Sequence, residues 1–180
     1  MQNIEFQKKY GNSEYRRFLK TLNFLNSNIS KSDKILDIGV PNPLSKFMNN
    51  NGYSVHNTPD NIDLDIDYQS ITSANYDVVT AFEILEHLVS PFTLLKSIDA
   101  PILVASVPLN LWFSGPYWNA NDPYDRHYHE FYPKQFDMLL EKAGWQIQKS
   151  EKWVSKINKI GFRPILRRFT PRYYIVYAIR

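Results

Sequence analysis

Lys34-Ile-Leu-Asp-Ile-Gly39 is a short apolar run broken by one acid and closed by a glycine, the pattern of a buried strand that ends at a turn. The next element starts at once. In Val40-Pro-Asn-Pro-Leu44, Asn42 can cap a helix by accepting bonds from its first free N–H groups, and Pro43 suits the first helical position because no donor is lost there. The helix is expected from about Pro43 to Asn50, with Gly52 ending it.

Downstream, Tyr53-Ser-Val-His-Asn57 alternates as a second strand, and Ile62, Leu64 and Ile66 recur at period two inside an acidic stretch that reads as a short edge strand or an extended loop. Tyr76–Thr80 and Pro101–Val107 are further buried strands, separated by a helical turn over Phe82–Leu88 and a helix over Pro91–Ile98. Tyr132-Pro-Lys opens a helix running to Ala143, Gly144 is its natural stop, and Trp145–Lys152 and Arg172–Ile179 close the set as strands. Upstream, Phe6, Tyr10, Phe18, Leu22 and Leu25 stand near helical spacing and predict one or two amphipathic helices within residues 1–28. Alternating strand and helix call for an α/β fold, a doubly wound and mainly parallel sheet with helices on both faces; two late strands with no helix between them predict an antiparallel hairpin at one edge. No repeat or domain boundary interrupts residues 1–180, which read as a single domain.

Composition narrows the function. At 180 residues with 43% hydrophobic, 22% charged and 15% aromatic residues, the chain can bury one real core and is not disordered. Zero Cys excludes a disulfide framework, a thiolate nucleophile and Cys-ligated zinc. Residues 1–12 contain no apolar leader core, and no stretch approaches the roughly 18 apolar residues of a membrane span, so a cytoplasmic protein is expected. The net charge of +3 is uneven: residues 151–180 carry +7 and residues 1–150 carry −4. Such asymmetry marks either an anionic partner or a solvated basic face.

In doubly wound sheets, ligands sit beyond the carboxyl ends of the strands, which draws attention to Asp37, Gly39, Val40 and Asn42. Ile35-Leu-Asp-Ile-Gly39 resembles the first motif of the class I methyltransferases that use S-adenosylmethionine, and Tyr76-Asp-Val-Val-Thr-Ala-Phe-Glu-Ile-Leu-Glu-His-Leu-Val-Ser-Pro91 resembles their fourth-strand motif. Ser106-Val-Pro108 with Asn110 is similar to the end of their fifth strand, and His129–Pro133 through Glu141–Trp145 to their late helix and sixth strand. The resemblance spans about residues 30–152 and implies a Rossmann-like seven-stranded sheet in the order 3-2-1-4-5-7-6, with strand seven antiparallel. It also implies S-adenosylmethionine as cofactor, with Asp37, Gly39 and Val40 at its amino-acid end, Asn57 near the ribose, Asp65 near the adenine amine, and Phe82 and Glu83 beside the methionine portion. Acids and aromatic faces suit a sulfonium, which is a fixed cation.

Methyl transfer also needs a base near neutrality, and His87, His127 and His129 fall on the expected ligand side. The aromatic insertion 109–128, with Trp112, Phe113, Tyr117, Trp118 and Tyr124, suits a lid over a small-molecule, glycan or lipid-linked acceptor; such residues also suit a contact between two copies. Residues 152–172 interleave aromatic and aliphatic residues with Lys and Arg, a composition suited to an anionic membrane surface, while no RNA-reading motif speaks for nucleic acid. Two other readings stand beside the enzyme. Pro41 and Pro43 replace the family's glycines and His56-Asn57-Thr58 replaces its strand-two acid, which is compatible with a non-catalytic binding or scaffold protein on the same fold. A metal-dependent hydrolase would use His87, His127, His129 and Glu130, but no ligand set of metal-site spacing is complete, and no metal is expected.

Overall fold

Ile35 and Leu36, Val78 and Val79, Leu103 and Val104, and Ile175 and Val176 are neighbours in sequence that are buried in different cores, one on each face of a single sheet. The computed structural model describes residues 2–72, 75–122, 124–154 and 161–180. Its strands are β1 (Lys34–Asp37), β2 (Ser54–Asn57), β3 (Val78–Phe82), β4 (Ile102–Pro108), β5 (Gln146–Val154) and β6 (Pro171–Ile179). They lie in the order β2-β1-β3-β4-β6-β5. The first four are mutually parallel and β6 runs antiparallel to both of its neighbours, which bears out the expected edge hairpin.

Among the described residues six strands form, not the expected seven. The order matches the expected one with the outermost strand removed, and the stretch containing Ile62, Leu64 and Ile66 is the one that fails to pair. The reason is local: the Asp63 carboxylate accepts the Asp65 N–H at 2.9 Å and the Asp63 carbonyl accepts from Ile66 and Asp67 N–H. Aspartate thereby offers the backbone a turn in place of a ladder. Ile66 is left 76% exposed, and Leu64 packs against the core from this turn and not from a strand. At the resulting edge, the side-chain amide of Asn49 accepts the Val55 N–H at 3.0 Å and donates to the Val55 carbonyl at 3.4 Å.

On one face pack α1 (Gln2–Asn26) and α2 (Pro43–Asn50), through Phe18, Leu22, Leu25, Phe47 and Met48. Gly11, at φ 76° and ψ 165°, breaks α1 into two helical pieces. On the other face lie α3 (Gln69–Thr72), α4 (Pro91–Ser97) and α5 (Pro133–Lys142), through Ile71, Leu94, Leu95, Phe136 and Leu140. Trp145 is sealed beneath this layer, its indole N–H donating to the Leu95 carbonyl at 3.0 Å. A short helix α6 (Phe162–Phe169) precedes β6. Of the basic segment 152–172, residues 155–160 lie outside the described residues. No described helix is long and apolar enough to cross a membrane.

Candidate active site at the carboxyl ends of β1 and β3

Parallel register sets Asp37 opposite both Thr80 on β3 and Asn57 on β2, so three strand ends deliver polar groups to one point. The Asp37 carboxylate is 2% exposed; Thr80 Oγ1 donates to its Oδ1 at 2.6 Å, and the side-chain amides of Asn42 and Asn57 donate to its Oδ2 at 3.2 and 3.3 Å. Burial nevertheless dominates these three donors and pushes the Asp37 carboxyl up from 3.8 to about 6.

The turn after β1 runs over this carboxylate. Gly39 takes φ 110°, a conformation that favours glycine, while its N–H donates to Thr58 Oγ1 at 2.9 Å. Asn42 begins α2 with a reciprocal cap: its Oδ1 accepts Leu44 and Ser45 N–H, and Ser45 Oγ accepts the Asn42 N–H. Those donors are thus consumed by the cap and are not offered to a ligand. Pro43 fills the first helical position, whereas the Pro41 ring is exposed and does not line the cavity described next.

Above the strand ends lies a cavity of about 280 Å³, lined by Gly39, Val40, Pro43, Phe82, Glu83 and Ser106 and closed over by Arg17 of α1 and Trp153 of β5. Glu83 takes φ 52°, the sole non-glycine positive φ among the described residues, and such strain clusters at functional positions. Its Oε1 accepts from Ser106 Oγ at 2.7 Å and its Oε2 lies 3.7 Å from the Arg17 guanidinium. Burial raises the Glu83 carboxyl above its ordinary range against the opposing pull of Arg17 and Ser106.

Beyond Glu83, a 3₁₀ turn over Leu85–His87 places a second group. Glu86 is 1% exposed and its Oε2 has no hydrogen-bond partner among the described residues; burial, then repulsion from Glu83, raises its carboxyl well above the usual range. The His87 Nδ1–H donates to the Arg126 carbonyl at 3.0 Å, and its Nε2 lies 3.7 Å from Glu86 Oε1. The His127 ring stands edge-on to His87 with centroids 5.0 Å apart, and its Nδ1 is 3.0 Å from Glu130 Oε1. Burial, then the neighbouring His127, lowers the His87 pKa.

The structure therefore gathers Asp37, Gly39, Val40, Asn57, Phe82 and Glu83 at one strand-end cluster and sets His87 and His127 beside it. His129 stands apart. Its Nε2 is 3.2 Å from the Val89 carbonyl and its ring stacks on Phe131, because the His127–His129 stretch forms no strand and the two rings leave the backbone for different neighbours. Asp65 does not line the cavity: its two carboxylate oxygens accept Val89 and Ser90 N–H at 3.0 and 2.7 Å and tie down the start of α4. The Asn57 amide nitrogen is turned inward, toward Asp37 and the Gly39 carbonyl. Arg17, Thr80 and Trp153 were not singled out in the sequence. Thr80 was findable from strand register with Asp37, but nothing local in the sequence announces that α1 brings Arg17 over the sheet.

In the aromatic insertion, Trp112, Trp118 and Tyr124 are exposed, Arg126 lies 4.3 Å from the Trp118 ring, and Tyr117 lies against His127 with centroids 4.9 Å apart. The loop is held to the 3₁₀ turn by Tyr128 and His129 N–H, which donate to the Glu86 carbonyl.

No family model matches the sequence, and no curated protein matches it. Solved structures do. A S-adenosylmethionine-dependent methyltransferase from Archaeoglobus fulgidus superposes with a TM-score of 0.63 at 17% identity, covering 98% of this chain and 99% of that one. The 1,6-didemethyltoxoflavin-N1-methyltransferase of Burkholderia thailandensis, solved with 1,6-didemethyltoxoflavin and S-adenosylhomocysteine, gives 0.59 at 17% identity, covering 92% and 77%. The N-terminal domain of EvdMO1, solved with S-adenosylhomocysteine, gives 0.56 at 13% identity, covering 94% and 85%. The chain has the fold of the class I S-adenosylmethionine-dependent methyltransferases, without the outermost strand.

Proposed function

We propose that the protein transfers a methyl group from S-adenosylmethionine to a small-molecule, glycan or lipid-linked acceptor. The observation that carries this reading is the Glu83 carboxylate, which lines the strand-end cavity at a positive φ, with the buried Asp37 carboxylate bracing the turn that walls it. Burial penalises the charged form of Glu83, a cost that a cationic ligand would offset, and a sulfonium with an α-ammonium group is such a ligand. The fold supports the same cofactor, since two of the superposed enzymes were solved with its demethylated product.

When bound, the cofactor supplies a methyl group activated by a positive sulfur. Asp37, through the Gly39–Val40 turn it braces, positions the amino-acid end. Glu83, fixed by Ser106, faces the positive charge, and Phe82 contributes an apolar wall. Glu83 exchanges its contact with Arg17 for the ligand, which frees the guanidinium for the ligand carboxylate. Asn57 and Asp65 support the turn and the α4 start around the nucleoside. The protein holds the acceptor in line with the methyl carbon and excludes water, which is where most of the rate enhancement of such a displacement resides. His87, neutral because burial lowers its pKa, and His127 are the groups placed to take the acceptor proton. The insertion 109–128 acts as the wall, or lid, of the acceptor side. Exposed Ile165 and Phe169 on α6, beside the basic Arg168, support a peripheral contact with anionic membrane.

Calorimetric titration with S-adenosylmethionine and its demethylated product tests the reading. One site per chain is expected, with a melting temperature that rises as about 2.7 kcal/mol of stabilisation accrues at a hundredfold excess over Kd. No binding and no shift at millimolar ligand would leave the scaffold reading standing.

A further inference from the structure

Glu86, His87 and His127 each present a ligand atom to a common point, all within 4.8 Å of one another. We propose that this cluster is a binding site for a first-row divalent cation such as Co²⁺, Mn²⁺ or Zn²⁺. Four features converge on it. The Glu86 Oε2 atom is buried without a hydrogen-bond partner among the described residues, which leaves its lone pairs for a ligand. The His87 Nδ1–H is committed to the Arg126 carbonyl, so the lone pair resides on Nε2, which is the atom nearest Glu86. Nδ1 of His127 pairs with the Glu130 carboxylate and leaves its Nε2 as the ligand atom, the carboxylate–imidazole arrangement that orients metal-bound histidines. Two imidazoles and a carboxylate suit a borderline cation better than Ca²⁺ or Mg²⁺, which prefer all-oxygen shells.

The geometry is close to closed. Ligands at about 2.0–2.1 Å around a tetrahedral ion stand about 3.3 Å apart, so closing separations of up to 4.8 Å by up to about 1.5 Å completes the set. With three protein ligands, at least one position stays open. A cation in this cluster would fix an acceptor hydroxyl and lower its pKa so that the proton leaves to solvent, replacing His87 and His127 as bases because their Nε2 lone pairs would be on the metal; that use rests on the methyl-transfer reading, and the binding site itself does not.

The test uses the full chain, stripped with chelator and titrated with CoCl₂ by visible absorption and with ZnCl₂ by calorimetry. One Co²⁺ per chain is expected, with the ligand-field bands of a low-coordinate site. Glu86→Gln and His127→Gln should each weaken binding about 100-fold or more, and Glu130→Gln about 10-fold. His129→Gln should change nothing, because that ring bonds to Val89 outside the cluster. Glu86→Gln also removes a buried acid, so the metal-free variant should melt no lower than the parent; should it unfold, the His127→Gln titration decides alone. No saturable Co²⁺ site in the parent, undiminished binding in Glu86→Gln or His127→Gln, or loss in His129→Gln would each overturn the proposal. S-adenosylmethionine titration of the same metal-free samples reports separately on methyl transfer.

Discussion

Replacing Asp37 by Asn tests whether the buried carboxylate is held at a cost. Burial lifts this carboxyl from 3.8 to about 6, so the folded state binds the proton more tightly than the unfolded chain does. Its contribution to stability is therefore fully present below about pH 3.8 and is lost as pH rises through about 6. The difference amounts to about 3 kcal/mol, at about 1.36 kcal/mol per pH unit. The group is 2% exposed, so solvent does little to screen it. The introduced amide can keep an oxygen toward Asn42 and Asn57 and donate to Thr80, whose hydroxyl accepts as readily as it donates. Urea unfolding of both proteins from about pH 4 to about pH 8 isolates the effect, because the other titrating groups cancel in the difference. Parental stability relative to Asp37→Asn should fall by about 2.5 kcal/mol across that range, most of it between about pH 4 and pH 6. A difference that is flat, or that grows with pH, would mean that the three donors stabilise the ionised form and would refute the reasoning. The same variant should lose affinity for S-adenosylmethionine at pH 7 despite its greater stability, measured by calorimetry.

Three further substitutions probe the turn and its supports. Asn42→Ala removes both the helix cap and a donor to Asp37, and should cost about 1–2 kcal/mol in urea unfolding. Gly39→Ala meets no crowding, since its nearest contact would be Ile84 Cδ1 at 3.7 Å; any loss, expected at about 1–2 kcal/mol in the same assay, comes from the positive φ alone. Asp65→Ala strands the Val89 and Ser90 N–H groups and should speed amide hydrogen exchange at the start of α4 while leaving β1 and β3 protected.

What could be read in advance was what depends on nearest neighbours. The α2 start at Pro43 and its Asn42 cap follow from side-chain chemistry within three residues, and the structure reproduces both. Buried strands announced themselves as apolar runs, although β3 begins at Val78, two residues after the expected Tyr76, because the Asp77 side chain, and not a backbone carbonyl, accepts the Lys34 N–H where the two strands start. The seventh strand failed for a reason also present locally: period-two isoleucines and leucine were outweighed by aspartates able to close turns on their own backbone. At the site, the motif residues on β1 and β3 were visible because strand ends fix them. Arg17 and the place of Glu86 beside His87 and His127 were not, because each depends on how a distant helix or loop packs over the sheet. His127 and His129 illustrate the limit: a spacing of two implies one face only if the segment is a strand, and this one is not.

With its outermost strand gone, the sheet stops at β2, a rim that could template pairing with another chain. Asn49 answers that hazard by counterfeiting a neighbour: its amide engages the Val55 N–H and carbonyl as a strand's peptide group would. One side chain from α2 thus does the insulating work of a missing ribbon.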